Sequence, residues 1–80
     1  MFFVYVLLSL KDKKRYIGFT ADLERRLNEH FSGNNESTKN RRPLKLIYNE
    51  SFLTKSDAMK REKFFKSGKG REFLNSVVKK

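Results

Sequence analysis

Apolar residues in this chain fall in short blocks, and the spacing within each block changes from one to the next. Phe2 to Leu8 is apolar without interruption and rich in aromatic and β-branched side chains, the pattern of a strand covered on both faces. Lys11 to Lys14 is a polar turn, and Arg15 to Gly18 reads as a second strand that pairs with the first as a hairpin. Gly18 closes it, where a glycine permits a left-handed bend or the close approach of another group. From Thr20 to Phe31 the period lengthens, which predicts a helix over those residues. Leu23, Leu27 and Phe31 recur every four residues and predict the apolar stripe of a helix, with Asp22 near its positive end. Residues 32–43, rich in Ser, Gly and Asn and closed by Pro43, predict a loop. Leu44 to Phe52 alternates in part, as a third strand would. Thr54 with Asp57 three residues on resembles a capping box and opens a helix to about Lys66. The segment Ser67 to Gly70 is expected to break that helix, and Arg71 to Val78 predicts a short last one carrying Phe73, Leu74, Val77 and Val78. With no repeat and no dividing linker, the order β-β-α-β-α-α predicts one α+β domain over residues 1–80, a small antiparallel sheet covered by helices.

Composition narrows the setting. Eighty residues are near the lower limit for a self-sufficient core, and no cysteine is present to add disulfides or thiolate-held zinc. Eight Phe and three Tyr supply large buried areas instead. The apolar start lacks both the positive leader and the small-residue cleavage site of a signal peptide, and it is too short to span a bilayer. A reducing, cytoplasmic location is expected. Lys and Arg outnumber Asp and Glu by 19 to 9, a net charge of +10. Such an excess favours a polyanionic partner, nucleic acid first. No helix pairs a wide apolar face with a purely basic one, so no membrane partner is expected.

Helical geometry sorts the polar residues. At about 100° per residue, with Leu23 at zero, His30 falls near −20°, Arg26 near −60° and Arg25 near 200°. Arg26 and the chain's single histidine therefore flank the apolar stripe, and Arg25 points to solvent. On the second helix Glu62 lies between Ala58 and Phe65 on the inward face. A carboxylate there needs a partner: an ion pair with Arg26 or a lysine, or a divalent cation completed by waters and phosphate. Tyr5 and Tyr16, eleven positions apart, both belong to the hairpin. Each of these residues alone is compatible with a structural role. Together they are the types that phosphoryl hydrolysis uses: a base, a cationic clamp and a metal ligand.

Four segments carry a resemblance. "YIG" stands at Tyr16-Ile17-Gly18, and "FVY" at Phe3-Val4-Tyr5 stands where a Gly-Ile-Tyr triplet would, keeping only the tyrosine. "TADLERRLNEH" and "AMKREKFFKSGKGREF" follow in order. The chain resembles the GIY-YIG nuclease family over essentially its whole length. It is especially similar to small stand-alone bacterial members, through "STKNRRPLKLIY" and "KSGKGREFL", and also to the N-terminal nuclease domain of an excision-repair nuclease subunit. The resemblance implies a three-stranded antiparallel sheet flanked by helices and a metal-dependent endonuclease for DNA, with a place in repair or recombination. Carried over by position, Tyr5, Tyr16, Arg26, His30 and Glu62 are the expected catalytic residues. Glu62 is the expected ligand of one divalent cation, Mg²⁺ or Mn²⁺, and no small-molecule cofactor is implied. Tyr5 as a phenolate base would need nearby cations to lower its ordinary value of about 10. Asn75 offers a match to an asparagine of larger members, without local context to fix it.

Larger members carry further DNA-binding domains, so here the basic residues Lys39, Arg41, Arg42, Lys66, Lys69 and Arg71 are expected to hold the phosphate backbone. Such contacts position a substrate without reading its sequence. Little intrinsic specificity is expected, unless a protein partner supplies it. Two rival readings stand beside the nuclease: a nucleic-acid-binding module that keeps the fold without turnover, and a protein-interaction domain with a vestigial site.

Overall fold

A computed structural model describes residues 1–78. The elements are strands β1 (Phe2–Ser9) and β2 (Arg15–Thr20), helix α1 (Leu23–Ser32), a single 3₁₀ turn (Lys39–Arg41), strand β3 (Leu44–Phe52), and helices α2 (Lys55–Phe65) and α3 (Gly68–Val77). The three strands form one antiparallel sheet in the order β2-β1-β3. The unbroken apolar run of β1 is explained by that order, because the central strand has no solvent face. Val4 and Val6 turn to one side, where they form the buried core with Ala58 of α2, Phe65 of α2 and Leu74 of α3. Tyr5 and Leu7, also buried, alternate to the other side. A bulge in β3 opposite Val6 and Leu7 leaves Ile47 unpaired, so Ile47 and Tyr48 both pack against the core.

Sequence expectation and structure differ at three places. Strand β2 runs past Gly18 to Thr20, so the glycine serves close approach and not a bend, and α1 starts at Leu23 after the Asp22 cap instead of at the expected Thr20. Helix α3 begins at Gly68, three residues before the expected start. Ser67 does end α2, but it also caps α3, its hydroxyl accepting from the Gly70 backbone N–H. Gly70 is buried in the first turn of α3, and a Cβ there would stand 1.9 Å from the Phe64 carbonyl oxygen. The glycine is thus a contact point between α2 and α3, worth its low helix propensity.

The third difference concerns α1. Leu23 and Leu27 are only half-buried, Phe31 is 42% exposed, and the buried residue of the helix is His30. The inward direction is centred nearer His30, at about −20°, than on Leu27, which leaves Phe31 too far round the helix to be covered. A polar side chain, not an apolar stripe, anchors α1 to the sheet. On α2, Thr54 accepts from the Asp57 N–H as the capping pattern predicts. Arg61 of α2 lies 4.7–4.8 Å over the rings of Phe64, Phe65 and Phe73 and bonds to Glu50 of β3 in bidentate fashion at 2.8 and 3.1 Å. Among the described residues no helix is long and apolar enough to cross a membrane.

Candidate active site

The central strand delivers Tyr5 to the α1 side of the sheet, opposite Gly18 of β2. A Cβ on Gly18 would lie 2.5 Å from the Tyr5 hydroxyl oxygen and 2.7 Å from Cζ. The glycine of Tyr-Ile-Gly is therefore the space through which the neighbouring phenol passes. Tyr5 Oη is 2.9 Å from Nε2 of His30, whose Nδ1 is 2.7 Å from Oγ1 of Thr38. Tyr16, on the same face as Tyr5, packs its ring 5.1 Å from His30 and 6.4 Å from Tyr5. Tyr5, Tyr16 and His30 are thus one packed cluster.

Burial pushes the Tyr5 phenol well above its ordinary value. The neighbouring Tyr16 adds to the rise, the charge of Arg26 opposes it, and Glu62 and Glu29 add more. The expected lowering of Tyr5 by nearby cations is present but outweighed, so the phenol is protonated in these surroundings. Burial, followed by the charge of Arg26, holds His30 below its usual value against the pull of Glu29. A neutral imidazole results at pH 7.

The charges of Arg26 and Glu62 both act on the Tyr5 phenol, Arg26 lowering and Glu62 raising it. They do not pair with each other. Arg26 Nε is 3.5 Å from Glu29, which also receives Arg25 at 3.3 Å. The Arg26 side chain is 43% exposed against 78% for Arg25, so the helical phase separates the two as expected. Glu62 keeps 22% exposure and meets Lys66 of its own helix at 3.4 Å. It faces a groove of about 1080 Å³ that Tyr16 also lines. The other charged lining residues are all cations: Lys13, Lys14, Arg15, Lys45, Lys66 and Arg71. Tyr5, Arg26 and His30 lie outside that lining, so Tyr16 is the member shared by the cluster and the groove.

Of the six basic residues expected to hold nucleic acid, Lys66 and Arg71 line the groove and Lys69 lies outside its lining. Lys39 pairs with Glu36, and Arg41 pairs with Asp12 while its carbonyl accepts from Ser9 Oγ. Arg42 lies over Gly33 and donates to the Lys39 carbonyl. Those three bind the loop to itself and to the hairpin turn. Lys13, Lys14, Arg15 and Lys45 were missed as groove cations. The "KDKKR" composition showed the charge of the first three, but the pairing of β1 with β3, which sets Lys45 beside Leu8, was not readable. Thr38 was missed too, since nothing in a polar loop marks one residue for burial. Asn75 is exposed on α3 and accepts from Arg15 at 2.8 Å.

The family model described as GIY-YIG catalytic domain matches residues 1–75. A UPF0213 protein of Streptococcus agalactiae, SAG0778, is 43% identical over 65 residues, covering 80% of this chain and 73% of its own. The UPF0213 protein YsiG of Lactococcus lactis is 42% identical over 79 residues, covering 98% and 75%. The solution NMR structure of the UPF0213 protein BH0048 from Bacillus halodurans superposes with a TM-score of 0.59 at 36% identity, over 96% of this chain and 85% of that one. Fold and comparisons agree, and the chain belongs to the GIY-YIG family.

Proposed function

We propose that the protein is a divalent-metal-dependent endonuclease that hydrolyses DNA phosphodiester bonds with little sequence preference of its own, acting in the cytoplasm. The observation that carries this reading is the groove: Glu62 is its one lining carboxylate, among six lining cations. A polyanion is drawn to such a surface, and its phosphates meet the one group able to hold a metal there. Among the described residues no cluster of three or more His, Cys, Asp or Glu exists. A lone half-buried carboxylate fits Mg²⁺ or Mn²⁺, which keep waters and bind through one or two carboxylates plus phosphate. Held by Glu62, such a cation supplies charge stabilisation to the leaving oxygen.

The chain's own groups do the remaining work. Arg26, whose single ion pair among the described residues is to Glu29, neutralises charge on the scissile phosphate. Tyr16, on the groove wall, orients the attacking water. Tyr5, kept protonated by burial, takes part as a hydrogen-bond donor, and neutral His30 holds it in place. Lys13, Lys14, Arg15, Lys45, Lys66 and Arg71 grip the strand on either side.

Cleavage of branched, single-stranded and duplex DNA in Mg²⁺ or Mn²⁺, beside Glu62→Ala and Arg26→Ala with a melting temperature for each, tests the proposal. Cutting lost in both folded variants is the expected outcome. If the wild type cuts nothing and all three proteins bind DNA equally, in a salt-sensitive way, the chain is a binding module.

A further inference from the structure

Thr38 adjoins the packed cluster through His30, and although it stands in the "STKNRRPLKLIY" segment, the sequence assigns it no role. It sits fully enclosed at the start of the 3₁₀ turn. Among the described residues its hydroxyl has one hydrogen-bond partner, Nδ1 of His30, and the Tyr5 hydroxyl has one, Nε2 of the same ring. A neutral imidazole offers one donor and one acceptor, so two arrangements are available. In the first, Tyr5 donates to Nε2 and Nδ1 donates to Thr38, which leaves the Thr38 hydrogen without an acceptor. In the second, Thr38 donates to Nδ1, Nε2 donates to Tyr5, and the phenolic hydrogen is left over. A stranded donor is tolerated only where something outside the chain can accept from it. Thr38 and His30 have no exposed surface, whereas Tyr5 retains 2% and packs against Tyr16 of the groove wall. The leftover hydrogen belongs on Tyr5.

We propose that Thr38 is a positioning residue that donates to Nδ1, fixes His30 as its Nε2–H tautomer and turns the Tyr5 hydrogen toward an incoming acceptor. On the nuclease reading, on which this role in turnover rests, that acceptor is a phosphate oxygen or the attacking water. The order of the hydrogen bonds does not depend on that reading. It follows that the loop is part of the site through Thr38, not through its arginines.

One histidine in the chain makes the test direct. In a ¹⁵N-labelled sample at neutral pH, the unprotonated ring nitrogen is expected to be Nδ1, with the proton on Nε2. A proton on Nδ1 overturns the proposal. Thr38→Ser keeps the donor, and is expected to keep both the tautomer and kcat. Thr38→Val removes it, and kcat for DNA cleavage is expected to fall about 10- to 100-fold with KM little changed, the range seen when outer partners of metal-held histidines are lost. A folded Thr38→Val that cuts at the wild-type rate overturns the positioning role. Should Thr38→Val fail to fold, loss of the tautomer or of kcat in Thr38→Ser does the same. A wild type that cuts no substrate refutes the nuclease reading, and the wild-type spectrum still decides the tautomer.

Discussion

Gly18→Ala puts a methyl group where the Tyr5 phenol now lies. The new Cβ would stand 2.5 Å from Oη, 2.7 Å from Cζ and 3.2 Å from Cε2. Tyr5 is 2% exposed on the central strand and held at Oη by His30, so its ring cannot swing into solvent. Forcing a buried ring aside costs about 1–3 kcal/mol. Losing the Tyr5–His30 hydrogen bond adds about 1 kcal/mol. The reduced freedom of the unfolded chain returns about 0.4–1 kcal/mol. The net loss is about 2 kcal/mol, or about 8–16 °C in melting temperature for a domain of this size. Thermal and urea unfolding of wild type, Gly18→Ala, Tyr5→Phe and the double variant close the cycle. Deleting Oη removes the nearest clash but leaves Cζ at 2.7 Å, so the double variant should lose less than the sum of the singles without regaining wild-type stability. Additive losses, or a Gly18→Ala protein melting within about 2 °C of wild type, would refute the claim that this glycine exists for the phenol.

Three further outcomes are expected. Gly70→Ala should destabilise more than Gly18→Ala, because its Cβ meets backbone at 1.9 Å where no side chain can yield; a smaller shift in the urea midpoint counts against that contact. His30 has a lowered value in the fold, so the unfolded chain takes up its proton first as pH falls through about 6.5. Its contribution is therefore present above that pH and lost below it, and the urea midpoint should drop between pH 7.5 and 5.5 with a shallower slope in His30→Gln. For DNA binding, Lys45→Ala should reduce the slope of log K against log salt by about 0.9, whereas Arg42→Ala, outside the groove lining, should leave it unchanged; equal slopes for both would move the binding surface to the loop.

The elements were readable because each has a local cause: an apolar run for β1, a Thr54–Asp57 cap for α2, a changed period for α1. Their errors have one cause in common. In the sequence Gly18 and the Ser67–Gly70 segment end their elements; the close approach left open at Gly18 is the option that holds, with Tyr5 across the hairpin, and Gly70 likewise answers to Phe64 across the helix joint. The helical wheel turned Arg26 and His30 inward and Arg25 outward from spacing alone, and it placed Glu62 on the inner face of α2. It could not show that Arg26 would pair with Glu29 and Glu62 with Lys66, because such i, i+3 and i, i+4 contacts compete with any pairing across the fold. Nor could it show which cations share a groove, since that depends on strand register.

The anchoring of α1 through His30 bears on how this site can be dissected. In a helix packed by leucines, a site histidine could be replaced with little change in stability. Here His30 is the buried residue of the helix and holds Tyr5 and Thr38 at its two nitrogens. Substituting Tyr5, His30 or Thr38 therefore perturbs folding and chemistry together, and loss of activity in such variants does not by itself assign a catalytic role. Arg26 and Glu62 are different. Each is partly exposed, and among the described residues each has one ion pair, on its own helix, 3.5 Å to Glu29 and 3.4 Å to Lys66. Exposed pairs of this kind are worth about 0–1 kcal/mol, so their removal should leave the fold nearly intact. The residues on which the proposed chemistry most depends are thus the two that can be removed cleanly, and a loss of cutting in Arg26→Ala and Glu62→Ala at unchanged melting temperature reports on the reaction alone.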